Sequence, residues 1–353
     1  MRRPRRLVSL FLGMCLTGLM ASGEESRGPS VMAFPYGYYE PVTGLSVGGS
    51  LLDFNALRTG VTLDLDATYS FAGFFATQAT IFAPYLIPRT SLSLRMGYSD
   101  YAQRFFGFGD STSLDSAFIY SNSTFQVEAK GSISLGSDWR LNPSIFLDTA
   151  LIGPYQGQVL PKMTGSDGGF MTLARMEIAH DRRASIDTYQ HKDYVAFGCS
   201  ISQPALGSSF PFELLDLDLR YFLNMPGGQV LAARVAAKQC IGDAPFNARP
   251  DFGGTTSGRG FQPDRFIGNA GAYGQLEYRF PILSKIGGDF FLDLGQVGDG
   301  YPSFTLNGLH FCGGAGLRFI SPKLPILSID VGFNGEPLSR EGFAIIIRTG
   351  QAF

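Results

Sequence analysis

The sequence carries little charge. Asp, Glu, Lys and Arg make up 16% of its 353 residues, whereas soluble globular proteins carry about 25%. The formal net charge is -2, and no basic face of the density that binds phosphate backbones is visible. The composition therefore argues against an ordinary soluble domain and against nucleic acid as a partner.

Residues suited to catalysis and metal binding are also scarce. The chain has three histidines and four cysteines, and the cysteines beyond the N-terminal region, Cys199, Cys240 and Cys312, show no CxxC spacing. The GxSxG, HExxH and P-loop patterns are missing. We therefore predict that the protein is not an enzyme and uses no metal or cofactor. The role of the three thiols stays open.

Long apolar runs are missing after the N-terminus. The one such run, residues 7–20, follows four arginines and ends in the small residues Ala21-Ser22-Gly23. This pattern predicts a cleaved signal peptide over residues 1–23, with retention as an anchor as the alternative. Residues 24–30 are then a short periplasmic segment, and residues 31–353 form one exported domain.

Strict alternation of apolar and polar residues is what the chain does have. In VTLDLDATYSF, residues 61–71, the odd positions are apolar and the even positions polar. Residues 125–135 and 215–223 repeat the pattern. Strands of about ten residues with apolar faces that end in aromatics are typical of transmembrane barrels. Because an open sheet cannot span lipid, we predict an all-β fold: a single 16-stranded antiparallel transmembrane β-barrel.

The predicted strands place both termini on one side of the membrane. Short periplasmic turns then alternate with longer extracellular loops, except for a long periplasmic connection at residues 182–192. The sixteen strands are predicted near residues 31–39, 44–54, 59–71, 74–84, 90–102, 123–136, 143–152, 170–181, 193–202, 213–224, 229–240, 270–281, 289–297, 310–320, 326–334 and 343–353.

The longest predicted loop, residues 241–269, carries Arg259 between two glycines. Alternation turns Glu277 and Asp293, from the next two strands, toward the barrel interior. A buried guanidinium requires paired acceptors, and the flanking glycines allow the backbone of a tight loop tip. We therefore predict that Arg259, Glu277 and Asp293 form a latch that fixes this loop inside the barrel. The alternative is a solvated loop arginine.

These motifs, in this order, resemble the BamA/TamA-type outer-membrane β-barrel superfamily, also called the bacterial surface antigen family. The resemblance is specific over roughly residues 250–353. It implies a sixth loop folded into the lumen with an RG(F/Y) motif that contacts an F-x-D-x-G motif and a strand glutamate. It also implies a C-terminal assembly signal. The matching residues are Arg259, Gly260, Phe261, Phe291, Asp293, Gly295 and Glu277 for the latch, and Gly350 and Phe353 for the signal.

The resemblance implies a Gram-negative outer-membrane protein that contacts membrane lipid and lipopolysaccharide and needs the barrel-assembly machinery for its own insertion. Members that insert or secrete proteins carry periplasmic POTRA domains, which residues 24–30 are too short to hold. We therefore expect a barrel-only member. One hypothesis is assembly or translocation of outer-membrane proteins with separate periplasmic partners. The alternatives are a passive or gated channel without assembly activity, and a secreted soluble β-protein.

Overall fold

The computed structural model describes residues 31–40, 44–56, 59–182, 192–320, 326–337, 341–349 and 351–353. The predicted signal peptide, the predicted periplasmic segment 24–30 and Gly350 lie outside the described residues. In the described part, no helix is long and apolar enough to cross a membrane.

One antiparallel sheet of sixteen strands dominates the structure, and its strands follow one another in chain order. These strands are β1 (Val31–Glu40), β2 (Gly44–Ala56), β3 (Val61–Ser70), β4 (Phe75–Ile87), β5 (Thr90–Phe105), β6 (Phe118–Ser134), β7 (Trp139–Pro154), β8 (Gly169–Asp181), β9 (Lys192–Ser202), β10 (Phe212–Met225), β11 (Gln229–Gly242), β14 (Ala270–Leu283), β15 (Ile286–Gly298), β16 (His310–Phe319), β17 (Leu327–Phe333) and β18 (Phe343–Thr349).

Shorter elements complete the described chain. A two-stranded sheet joins β12 (Asp251–Phe252) to β13 (Phe266–Ile267). Single 3₁₀ turns occur at Leu114–Ser116, Pro204–Leu206, Pro226–Gly228, Phe246–Ala248, Tyr301–Ser303 and Leu306–Gly308.

The two faces of the large sheet reverse the usual distribution of polarity. On the outer face, apolar side chains such as Phe197 and Tyr221 are 49% and 52% exposed. On the inner face, Glu277 and Asp293 are 0% exposed. Because side chains alternate between faces along a strand, the sequence alternation produces this arrangement directly. A sheet with an apolar outer face and a polar inner face is suited to lipid on the outside.

The connections between neighbouring strands differ in length between the two ends of the sheet. Connections from odd to even strands of the main sheet lie at one end, which we call the loop end, and include residues 106–117, 155–168 and 243–269. Connections at the other end include short ones, at residues 88–89 and at Pro226–Gly228. In that last turn two successive glycines have positive φ angles of 78° and 76°, which side chains at these positions would oppose. The predicted exception, the long connection at residues 182–192, lies mostly outside the described residues.

The predicted all-β antiparallel architecture is confirmed. Each predicted strand range overlaps a strand of the main sheet, but several predicted ends are wrong. Strand β6 begins at Phe118 rather than 123, because its ladder with β5 continues to the pair Phe105–Phe118 beyond the apolar alternation. Strand β18 ends at Thr349 rather than 353. In the described part of the chain, no backbone pairing joins β18 to β1.

Candidate functional site

Residues 243–269, which we call the inner segment, lie against the inner face of the sheet. Phe252, Phe261 and Phe266 of this segment form a buried cluster with inner-face side chains that include Tyr273. The ring centroids of Phe261 and Phe266 lie 5.5 Å apart with a T-shaped geometry. The aromatic residue of the predicted RG(F/Y) motif therefore anchors the segment by apolar packing.

Arg259 lies at the tip of the inner segment and is 0% exposed. Its Nε and Nη2 atoms donate to the two oxygens of Asp293 at 2.8 and 2.7 Å, which is a bidentate pair. Its Nη1 atom donates to Glu277 Oε2 at 3.1 Å. The guanidinium also lies 3.7 Å from the ring centroid of Phe291. The structure thus brings together the arginine, both carboxylates and the aromatic residue that the sequence placed in the latch.

The two glycines of the predicted latch make room for close packing. A Cβ atom on Gly260 would lie 2.7 Å from Cys312 Cβ, and one on Gly295 would lie 2.4 Å from the ring of Phe252. The Gly260 N–H donates to Cys312 Sγ at 3.1 Å, and the Gly260 carbonyl accepts from Asn334 Nδ2 at 2.8 Å. Side chains at either glycine would push the inner segment away from the sheet.

Arg259 belongs to a larger buried network of four arginines and four carboxylates, which we call the charge cluster. Glu277 also accepts from Arg318 at 3.1 Å and from Arg279 at 3.2 Å. Asp330 pairs with Arg318 and Arg348, and Arg318 reaches Asp289. The members are Arg259, Arg279, Arg318, Arg348, Glu277, Asp289, Asp293 and Asp330.

The cluster contains equal numbers of positive and negative groups, so the charge of Arg259 is balanced by carboxylates inside the sheet. Burial opposes the charge on Arg259, but Asp293 and Glu277 outweigh it and hold the pKa of the guanidinium above its ordinary value. Arginine suits this role, since its planar fork binds two acceptors at once. Arg259 therefore stays charged and holds the inner segment through its carboxylate partners.

The sequence motifs predict only three members of the charge cluster: Arg259, Glu277 and Asp293. Arg318 is the one charged residue of strand β16, and Asp330 is the one charged residue of strand β17. Alternation places both side chains on the inner face. A single charged residue in an otherwise uncharged strand is the sequence signal that predicts these two members of the cluster. Arg234 and Arg348 also hold the inner segment: they donate to the carbonyls of Thr256 and Thr255 at 3.1 and 2.9 Å.

Phe353, the predicted C-terminal signal residue, lies beyond β18 and is 5% exposed. Its ring centroid lies 6.3 Å from that of Phe222, which is on the inner face of β10. Its main-chain oxygen accepts from Arg279 Nη2 at 3.2 Å. Its predicted partner in the signal, Gly350, is outside the described residues. The structure therefore places Phe353 on the same face as the charge cluster.

At the loop end, two other loops form hydrogen bonds with the inner segment. The Gly109 N–H donates to the carbonyl of Ile267 at 2.7 Å, and Arg265 donates to Thr112 at 2.5 Å. The loop between β7 and β8 joins through the carbonyl of Thr164, which accepts from the Phe246 N–H at 3.1 Å. Together these contacts interlock three loops.

The described residues contain no group of three or more His, Cys, Asp or Glu side chains placed to bind a metal ion. Cys240 and Cys312 are buried free thiols, and Cys199 is an exposed one. The chemistry that this geometry supports is the fixing of a loop by charge-assisted hydrogen bonds.

Solved structures with a similar fold number 77 chains. BamA from Haemophilus ducreyi lacking POTRA domains 1–3 aligns with a TM-score of 0.63 and 15% identity, over 96% of this chain and 75% of that one. CdiB from Escherichia coli aligns with a TM-score of 0.66 and 14% identity, over 96% of this chain and 66% of that one. CdiB from Acinetobacter baumannii gives 0.60 and 13%, over 93% and 62%.

The chain therefore spans less than two thirds of either CdiB chain. No curated protein matched the sequence. The comparison with protein families gives a match that covers residues 55–353, and its description is the Omp85 superfamily domain. Since this match includes most of the sheet, the inner segment and the whole charge cluster, the chain belongs to the Omp85 superfamily.

Proposed function

We propose that this protein is an outer-membrane β-barrel that takes part in the assembly or translocation of outer-membrane proteins, together with separate periplasmic partners. In this proposal the sixteen strands close into a single barrel and the inner segment is its sixth extracellular loop, folded into the lumen. Residues 1–23 direct export, and residues 31–353 form the barrel.

The inside-out polarity of the sheet supports a location in lipid. Unpaired backbone groups at the edges of β1 and β18 would cost several kcal/mol each in a bilayer, so we propose that these edges meet in the membrane. Strand β18 has seven residues and β1 has ten, so such a join can pair seven residues of β18, as the β17–β18 ladder does.

The observation that carries the functional proposal is the full burial of Arg259 within the charge cluster, in a chain of the Omp85 superfamily. Three carboxylates, Glu277, Asp293 and Asp330, surround Arg259 at the inner face, and two further loops are hydrogen-bonded to the inner segment at the loop end. A passive pore of sixteen strands would keep an aqueous interior, and a loop fixed across that interior would obstruct it. This feature favours assembly or translocation over the alternative of a passive channel.

A paired reconstitution tests the proposal. The purified protein is placed in liposomes, with and without periplasmic extract, and the folding rate of an unfolded eight-stranded barrel protein is measured beside its conductance in planar bilayers. We expect faster folding of the client and little steady conductance. The variant Arg259→Gln should lose the acceleration, while Arg95→Gln, which breaks the partly exposed pair with Glu128, should keep it. Steady selective conductance without any effect on folding would overturn the proposal.

A further inference from the structure

The tip of the inner segment and the end of the chain are held by the same buried groups. Residues 255–260 contact strands at both sides of the cluster: Arg234 of β11 binds the carbonyl of Thr256, and Arg348 of β18 binds that of Thr255. The tip therefore reaches the last strand of the sheet directly.

Two shared carboxylates make the connection stronger than these two hydrogen bonds. Asp330 pairs with Arg348 of β18 and lies 3.8 Å from Arg259 Nη1. Glu277 pairs with Arg259 and also with Arg318 and Arg279. Each carboxylate therefore contacts both Arg259 at the tip and arginines of the strands that hold the end of the chain.

Residues beyond β18 complete the connection. Arg318 Nε donates to Gln351 Oε1 at 2.9 Å, and Arg279 Nη2 donates to the main-chain oxygen of Phe353 at 3.2 Å. The Phe353 ring packs in a buried cluster with Phe222, and Arg279 lies 5.5 Å from the centroid of that ring. The arginines that bind residues 351–353 are therefore the ones that share Glu277 with Arg259.

A buried charge that loses its partner is costly because water cannot replace that partner. If residues 348–353 leave the inner face, Asp330 loses Arg348, and the carbonyl of Thr255 loses its donor. If the tip leaves, Asp293 and Glu277 lose Arg259, and the balance of four positive and four negative groups fails. Departure of either part leaves the other in an unfavourable site.

We infer that residues 253–261 and residues 343–353 form one cooperative unit, so that neither can leave the inner face without loosening the other. This coupling rests on the contacts of the charge cluster, and it holds whether or not the protein has assembly activity. The last strand of the sheet is then controlled from inside, by the position of the loop tip.

Thiol labelling tests the coupling in both directions in the folded protein, in a Cys199→Ala background. Arg348→Gln perturbs the last strand, and the alkylation rate of Cys312 beneath the tip is measured. Ser257→Ala perturbs the tip, where Ser257 Oγ binds both backbone groups of Gly253, and the alkylation rate of an Ala352→Cys variant is measured. Losing the hydrogen bond of Arg348 to a charged group predicts about a 10- to 100-fold rise in the alkylation rate of Cys312. Losing the two neutral hydrogen bonds of Ser257 predicts about a 5- to 30-fold rise in that of the Ala352→Cys variant.

Controls separate this coupling from general loosening. Arg95→Gln should leave both rates unchanged, and Cys240, which packs with Met171 and Phe212, should stay protected in every variant. Arg348→Lys and Phe353→Leu replace Arg348→Gln if that variant fails to fold. A rise in Ala352→Cys labelling in the Arg348 variant while Cys312 stays protected would overturn the inference. Unchanged Ala352→Cys labelling in Ser257→Ala would also overturn it.

Discussion

Replacing Arg259 by Met removes the charge and all three side-chain donor contacts while keeping an unbranched side chain. The cost depends on what the two carboxylates retain. Glu277 keeps Arg279 and Arg318 at 3.2 and 3.1 Å. Asp293 keeps the Arg259 main-chain N–H at 3.0 Å and the Cys312 thiol at 4.0 Å, and its bidentate cationic partner is lost. The substitution therefore leaves one carboxylate buried without a countercharge.

Breaking a buried ion pair by removing one partner costs about 3–5 kcal/mol, and we expect Arg259→Met to lower the free energy of unfolding by that amount. Adding Asp293→Leu removes the stranded charge, so the double variant should recover about half of the loss or more. The matched control is Arg95→Met. Its pair with Glu128 has side chains 43% and 31% exposed, so this change should cost about 0–1 kcal/mol.

The measurement is a urea titration of the protein folded in detergent micelles or liposomes, followed by the shift in electrophoretic mobility between folded and heated samples. The four proteins are compared under identical conditions, because the slope of the titration must stay constant for the midpoints to report stability. A cost for Arg259→Met no larger than that for Arg95→Met would refute the reasoning. A further loss of stability on adding Asp293→Leu would refute it as well.

Three further predictions concern other residues of the same region. Gly260→Ala should lower the free energy of unfolding by about 1–3 kcal/mol in a urea titration, because its Cβ would lie 2.7 Å from Cys312 Cβ. The control is Gly136→Ala, where no atom lies within 4 Å of the added Cβ. Equal urea midpoints for the two variants would contradict the close packing at Gly260. The many protein atoms around Asp264 and the charge of Asp251 raise the pKa of Asp264 to about 6, above its unfolded value. Because the side chain is solvent-exposed, water weakens this effect, and the group should make the protein slightly less stable as pH rises from about 4 to about 6. Asp264→Asn should remove that part of the pH dependence, and an identical pH profile would argue against it. Finally, the exposed thiol Cys199 should react with a maleimide in detergent at least tenfold faster than Cys312, which is 0% exposed; equal rates in the folded protein would be inconsistent with the buried site.

The sequence predicts the strands well because each strand has its own alternation of apolar and polar residues. In residues 61–71 or 215–223, the face of every side chain follows from its position in the alternation, and the antiparallel sheet then requires little long-range information. The ends of β6 and β18 are not determined by this alternation. They depend on how far the neighbouring ladder continues, and the residues beyond the alternation give no sign of this.

The candidate site divides in the same way. Arg259, Glu277 and Asp293 are recognisable from sequence because each lies in a short motif whose polar residue must face inward. The roles of Arg234 and Arg348 are not recognisable, since they bind main-chain carbonyls, and a carbonyl has no signature in the sequence. The burial of Phe353 against Phe222 is equally hidden, because the alternation through Ile345 and Ile347 predicts a continued strand.

The chain-order pairing of the sheet also constrains how the protein folds. Neighbouring strands are hairpins or close to hairpins, so most of the sheet can form from local contacts, which favours fast zippering. The contacts of the inner segment are of another kind: Arg265 binds Thr112 across 153 residues, and Arg348 binds the carbonyl of Thr255 across 93. Every strand that supplies a charge to the cluster follows the inner segment in the chain. The tip therefore has none of these charged partners until strands β14 to β18 have formed, so we expect the latch to close late in folding.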